Sequence, residues 1–429
     1  MEIKRIKGTK DILPEEVDRF LIVENVLRDV MKKYNYLEIR TPTIEQSELF
    51  IKGTGESTDI VHKEMYSFTD RGERNISLRP EGTPSVVRAY LENNLHKKKL
   101  FQKFFYYGSM FRQENPQSGR LREFRQFGAE AIGSMSPQLD VETIMLGLEI
   151  LHKIGLEKVE LHLNSIGCEK CRPKYRESLR SFLEPKLNLL CEDCKRRFHT
   201  NILRILDCKR TSCRKVTADA PLPTDFLCDE CEAHFNEVKT LLEKEGISYV
   251  LNPHLVRGLD YYTKTVYEFV SPVLGAQDAV GGGGRYDGMI ELFGGPSIPA
   301  VGFACGVERI LLALEKEKPV KEQEKHLNCY IVTMNEQTDE AGFLLLSEMR
   351  NKGITCEKDY MKRSLKAQMK DANRNNADFV VIIGEDELKK GEVTLKNMAD
   401  GSQKRISFSV EELLKEMEKF YLKNSDREG

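Results

Sequence analysis

Two β-prone stretches, "FQKFFYYGSMFRQE" at 101–114 and "FRQFGAEAIG" at 124–133, flank a Pro-Gln-Ser-Gly turn and bring four arginines with them: Arg112, Arg120, Arg122 and Arg125. Aromatic residues in such runs favour strands. Arg112 follows apolar Met110 and Phe111, and a buried guanidinium without a partner is costly. It has two ways to meet that cost. It can pair with Glu114 or Glu130, or it can hold an anionic ligand, because its planar fork matches phosphate or carboxylate through two parallel hydrogen bonds. The turn from Pro116 to Gly119 is placed to fold over a bound nucleotide. Phe124 then lies against a base face or in the core.

The rest of the chain gives these strands a context. Apolar residues at Phe20, Val23, Leu27, Val30, Met31 and Tyr34 recur at helical spacing and predict a core-facing helix over 15–35. "YLEIRTPTIE" reads as extended, with Pro42 at a sheet edge or strand end. "SLRPEGTPSVVRAYLEN" reads as a turn entering a helix, and a further helix is predicted at 138–154. From 328 onwards, strand-like and helical segments alternate, which predicts a compact α/β domain with a largely parallel sheet. The charged stretch 315–326 reads as a linker. With 429 residues the chain exceeds one core. Its formal charge of −2 means that any nucleic-acid footprint is local. Neither a signal-peptide core nor a membrane-length apolar run is present, so no membrane is involved and the expected location is cytoplasmic.

Three further stretches carry chemistry. "AVGGGGRYDG" at 279–288 allows close backbone approach to a ligand, or a bulge, but lacks the context of a dinucleotide fingerprint or P-loop. "GFACGVERILLALE" places Glu308 and Arg309 at the start of an amphipathic helix, whose N-terminus favours anions, with Arg309 placed to reach a phosphate. In "RGLDYYT", 257–263, strand alternation sends Arg257, Leu259 and Tyr261 to one face and Asp260 and Tyr262 to the other, unless a bulge intervenes.

Taken together, these stretches resemble the class II aminoacyl-tRNA synthetases, and among them the bacterial-type histidyl-tRNA synthetases. "IRTPTIE" resembles the family's first signature, "FRQENPQSGRLREF" its second and "GFACGVERI" its third. "RGLDYYT" and "AVGGGGRYDG" match the two segments peculiar to the histidine enzymes, and "LRPEGT" a substrate-binding turn. Sister synthetases for glycine, proline or threonine share the nucleotide motifs but not "RGLDYYT".

The resemblance implies an α+β catalytic domain with a mainly antiparallel sheet flanked by helices, in two parts (1–165 and 247–318). Between them lies a small inserted Cys-rich basic domain (166–246), and an α/β anticodon-binding domain (327–425) follows. It implies a homodimer built through the first signature. ATP and L-histidine give histidyl-adenylate and pyrophosphate, and the histidyl group then passes to the 3′ end of tRNA(His), releasing AMP. Arg112 clamps the α-phosphate and the carboxylate, Arg257 adds a second charge there, and Arg309 holds the γ-phosphate. Mg2+ bridges the phosphates, and no protein side chain is assigned to a metal in this reaction. Arg120 and Arg122 meet ATP or the tRNA acceptor end, Phe124 lies under the adenine and Glu114 near its amino group.

Histidine's ammonium falls to Glu81, Thr83 and Gln126 and its imidazole to Glu130 and Tyr262, with Tyr261 alongside; Gly82 also belongs to the histidine site. Neutral imidazole offers one donor and one acceptor nitrogen, which a carboxylate and a phenol satisfy together. The contrasting function is a non-catalytic, synthetase-like regulatory subunit of histidine biosynthesis. Such a subunit typically lacks the C-terminal domain and degrades the histidine-specific motif, and both are present here.

Eight of the eleven cysteines fall in the insertion: Cys168-x-x-Cys171, Cys191-x-x-Cys194, Cys208-x4-Cys213 and Cys228-x-x-Cys231. Structural zinc and reduced, metal-free thiols are both open, and so is which four would group. The expected role of the insertion is to scaffold the basic stretch 195–215, which is placed to grip the tRNA backbone.

Overall fold

A computed structural model describes residues 3–318, except Ser57, Gln117, Ala276 and Gln277, and residues 326–425. Two compact units result, Met1–Val320 and Lys321–Gly429. Residues 319–325 of the expected linker lie outside the described residues, and Glu315–Glu317 belong to the helix Val307–Glu317 rather than to a linker.

The first unit is built on an eight-stranded sheet in the order Leu37–Glu38, Gln102–Phe111, Glu123–Ile132, Ala300–Gly306, Ala279–Arg285, Thr263–Val270, Glu160–Ser165, Val250–Leu251. The inner pairings are antiparallel and the two short edge strands join in parallel. Side chains alternate across it. Phe127, Ala129 and Ala131 join the main apolar core with Val301, Phe303 and Cys305, while Gln126, Glu130 and Ala304 face the other way.

That core is closed by Pro14–Lys33, whose Val23, Leu27, Val30 and Met31 are fully buried, and by Pro137–Ile154. Ser136 caps the latter helix through the Gln138 amide, and Gly155 ends it with φ 108°. "YLEIRTPTIE" does not make one strand. Leu37–Glu38 pairs in the large sheet, and beyond Pro42 the segment Ile44–Gln46 joins a separate three-stranded sheet with Asn75–Leu78 and Tyr66–Thr69.

The inserted segment has its own small core, with Tyr175, Leu179, Leu183, Phe198 and Ile205 buried together. Its last helix, Asp229–Lys244, instead sends Phe235, Val238 and Leu242 into the main core. A buried ion pair also ties strand to helix. Arg285 and Asp140 are both fully buried and meet at 2.6 Å, with His234 on the other Asp140 oxygen at 3.1 Å.

In the second unit the strand order is Cys356–Lys358, Leu327–Thr333, Ala377–Ile383, Glu392–Asn397, Gln403–Ser407. The first three are parallel, but the last two add antiparallel, so the sheet is mixed rather than largely parallel. The physical reason is connection length. Parallel neighbours need a crossover of roughly a dozen residues or more, and the turn through Asp400 and Gly401 is far too short for one.

Candidate active site

On the face of the large sheet turned away from the main core lies a cavity of about 510 Å³. Its floor is the alternating set left over from core packing: Gln126, Gly282, Ala304 and Gly306. The small residues there make room for charge. A Cβ at Gly282 would stand 2.6 Å from the Arg257 guanidinium, and one at Gly302 only 2.0 Å from the Glu130 carboxylate.

One end of the cavity is lined by the buried carboxylate Glu81, and a second, Glu130, does not line it but lies behind Thr83. Glu130 receives the Thr83 hydroxyl on Oε1 and the Tyr286 hydroxyl on Oε2, both at 2.6 Å. Burial pushes its carboxyl up to about 8, against the opposing pull of those two hydroxyls. Glu81 accepts from the Tyr261 hydroxyl on Oε2 at 3.0 Å, while its Oε1 is buried without a hydrogen-bond partner. Burial raises Glu81 to about 7 although Arg112 pulls the other way. An orphaned buried oxygen beside a bound one is the arrangement a ligand cation or donor would complete. The Tyr106 hydroxyl reaches Gln126 Oε1 at 3.3 Å. Glu81, Thr83, Gln126, Tyr261 and Tyr262 line the same cavity, whereas Gly82 sits beneath the Tyr106 ring as the residue ahead of the helix Thr83–Glu92.

"RGLDYYT" is not a strand before Thr263; it is a bend and turn leading into Thr263–Val270. Strand alternation therefore does not apply. Tyr261 and Tyr262 both face the cavity, with ring centroids 4.5 Å apart.

The other end is cationic. Arg112 donates Nε to the Pro80 carbonyl at 2.9 Å and lies over the Phe124 ring, 5.3 Å from its centroid. It does not pair with Glu114, which takes Arg120 at 3.2 Å, or with Glu130, which is occupied by hydroxyls. Arg257 is ion-paired to Glu268; burial opposes its charge, but the carboxylate wins and holds it above its usual range. Arg309 donates Nε to the Ala279 carbonyl at 2.7 Å; burial, then Arg120, lowers its guanidinium.

The four arginines of the opening stretch thus part company. Arg112 and Arg120 line the cavity, and Arg125 pairs with Glu308 at 3.7 Å and lies over Phe20. Arg122 does not line it, and its backbone joins Gly8 and Arg112 instead.

Several residues were not legible as site residues. Tyr286 and Tyr106 sit in segments read for glycine and strand content. Arg197, Arg204 and Lys209 of the basic insertion line this cavity rather than an outward face, and Arg197 and Arg204 meet Asp59 at 2.7 and 3.6 Å. Their signal was the charge density of 195–215, which does not say which way a side chain turns. The sequence left open whether the eight insertion cysteines hold zinc and which four would group; they gather as Cys168, Cys171, Cys228 and Cys231 and as Cys191, Cys194, Cys208 and Cys213. Among the described residues no other group of three or more potential ligands forms.

A family model for histidyl-tRNA synthetase matches residues 8–310, and one for an anticodon binding domain matches 328–420. The histidine–tRNA ligase of Desulforamulus reducens is 49% identical over 94% of this chain and 96% of its own length. That of Halothermothrix orenii is 49% identical over 98% and 100%. The crystal structure of apo Staphylococcus aureus histidyl-tRNA synthetase superposes with TM-score 0.79 at 41% identity, covering 95% of this chain and 98% of that one. A Bacillus halodurans structure titled as an ATP phosphoribosyltransferase regulatory subunit/histidyl-tRNA synthetase shares the fold at TM-score 0.63 and 20% identity, with 89% of this chain and 98% of that chain covered.

Proposed function

The chain belongs to the histidyl-tRNA synthetase family and is an ATP-dependent histidine–tRNA ligase, and on that premise we propose how its cleft divides the work. The carboxylate end takes histidine. The ammonium group meets Glu81, whose unpaired Oε1 is the observation that carries the assignment, together with Thr83 and Gln126. The imidazole lies between Glu130 and Tyr262, and Tyr286 and Thr83 hold the Glu130 carboxyl in place. An analogue without the ring nitrogens would forgo its bonds to Glu130 and Tyr262, so editing is expected to be unnecessary.

The cationic end takes ATP. Arg112 has its Nε committed to Pro80 and its plane steadied by Phe124, so its remaining N–H groups are aimed rather than floppy. It stabilises the charge that develops as histidine's carboxylate attacks the α-phosphate and pyrophosphate departs. Arg257, supported by Glu268, adds positive charge at the same centre, and Arg309 holds the γ-phosphate. Phe124 lies near the adenine, with Glu114 and Arg120 at the rim. Mg2+ would enter on the ATP phosphates and supply further positive charge there.

The second unit contacts tRNA(His), matching the anticodon-binding family model. The protein works as a homodimer in the cytoplasm. Ile44, exposed on the first-signature segment, and Leu37 just before it fit such an interface. No described helix is long and apolar enough to cross a membrane. The regulatory-subunit reading has less support, since the relatives similar over nearly the whole chain are ligases.

Histidine-dependent exchange of pyrophosphate into ATP tests this reading. Exchange that requires histidine and is not supported by other amino acids is expected; a folded protein with none would overturn it.

A further inference from the structure

We propose that the inserted segment holds two structural zinc ions, one in Cys168, Cys171, Cys228 and Cys231, the other in Cys191, Cys194, Cys208 and Cys213. In each group the four sulfurs lie within 4.8 Å of one another. Tetrahedral zinc with Zn–S bonds of about 2.3 Å sets neighbouring sulfurs about 3.8 Å apart. The Sγ separations are 3.7 Å for Cys168–Cys171, 3.9 Å for Cys168–Cys228 and 3.9 Å for Cys191–Cys208. None of the eight is in a disulfide.

The amides are arranged for thiolates as well. The Cys228 N–H donates to Cys171 Sγ at 3.1 Å, and the Cys191 N–H to Cys213 Sγ at 3.2 Å. Such outer hydrogen bonds orient metal-bound sulfur. Buried cysteines used only as small hydrophobes have no reason to converge in fours. Cys305, Cys329 and Cys356 are buried in this chain and form no such group.

The pairing is not the sequential one. The outer group joins the pair after strand Glu160–Ser165 to the pair opening helix Asp229–Lys244, and so staples the root of the insertion across about 60 residues. The inner group closes its middle. A segment whose own core is this small gains folding free energy from each closed site.

Each ion would also brace one wall of the cleft. At the outer group, the Gly167 carbonyl accepts the Lys264 amide at 2.9 Å, and Arg172 donates to the Tyr262 carbonyl. That fixes the turn carrying Tyr261 and Tyr262. At the inner group, the helix that starts after Cys191 carries Arg197, which reaches Asp59, and Asn201 follows it to Asp260 at 2.5 Å. A four-thiolate site with Zn2+ has a net charge of −2; Arg210, Arg214 and Lys215 adjoin the inner cysteines in sequence, whereas Lys195, Arg196 and Lys209 are ion-paired to Glu192, Asp193 and Asp207. The basic stretch thereby acquires a structural use.

The test is elemental analysis of the full-length chain, purified without chelator. About two zinc per chain are expected. Replacement of the metal by Co2+ should give the intense visible bands of tetrahedral thiolate coordination. The double variants Cys168→Ser/Cys231→Ser and Cys194→Ser/Cys213→Ser should each lower the zinc content about twofold. If either fails to fold, the Co2+ spectrum of the unaltered chain still decides. Less than about 0.3 zinc per chain, a Co2+ spectrum without thiolate bands, or zinc lost to a weak chelator with no fall in melting temperature would each overturn the assignment. A double variant that folds and keeps the full zinc content of the unaltered chain would overturn the site that variant alters.

Discussion

The Tyr286 hydroxyl donates to the Glu130 carboxyl at 2.6 Å across 156 positions of sequence, and with Thr83 on the other oxygen it leaves that carboxyl one orientation. A group so held can discriminate an imidazole by geometry as well as by charge. Glu130→Ala should therefore raise the KM for histidine far more than the KM for ATP, and Tyr286→Phe should do so to a smaller degree. Steady-state pyrophosphate exchange with each substrate varied in turn measures this, and equal effects on both substrates would contradict it.

The same carboxyl makes stability depend on pH. Burial lifts Glu130 to about 8 and Glu81 to about 7, above their unfolded values, so the folded state holds protons that the unfolded state releases. Their contribution is intact in acid and is lost as pH rises from about 4.5 towards 8, with a slope of at most about 1.4 kcal/mol per pH unit for each group. Urea unfolding of the ligand-free protein across that range should show a shallower decline in Glu130→Gln than in the parent.

Arg112→Ala should lower the rate of adenylate formation about 10²–10³-fold, the usual cost of a lost preorganised donor. Its direct partners are a backbone carbonyl and an aromatic face, so no ion pair is broken and the fold should persist, while the buried Glu81 loses a charge that opposes its upward shift. Near-parental exchange in a normally folded variant would remove Arg112 from the reaction.

Arg285→Leu attacks the fold instead. Asp140 would remain fully buried, with only His234 opposite it. Breaking a buried pair from one side costs about 3–5 kcal/mol. Denaturant midpoints should show a loss of that order, and Asp140→Asn/Arg285→Leu together should cost less than the sum of the two single changes.

Deleting residues 321–429 should spare histidine activation and cripple tRNA charging, because every residue of the cavity lies in Met1–Val320. Pyrophosphate exchange and aminoacylation, measured on one preparation, separate the two outcomes.

Much of this was legible in the chain itself. Periodicity alone predicted the helix that buries Val23, Leu27, Val30 and Met31, and residue chemistry picked out Arg112 and Arg309 as cations suited to an anionic ligand. Family motifs then named Glu81, Gln126 and Glu130, all of which line or border the cleft. What sequence determined is local: spacing sets which side chains share a face, because backbone geometry repeats over two or 3.6 residues.

Tertiary structure decided the rest, because the remaining contacts join residues far apart in the chain. "RGLDYYT" leaves strand geometry and turns both tyrosines inward. Tyr286 meets Glu130 from a different strand connection, and Arg197 crosses 138 positions to Asp59. The cysteines show this most plainly. Their spacings were fully readable, yet Cys168 and Cys171 found Cys228 and Cys231 rather than their nearer neighbours. Sequence distance sets the entropy of closing a loop, but only weakly, so which ends meet is settled by the helices and strands that carry them.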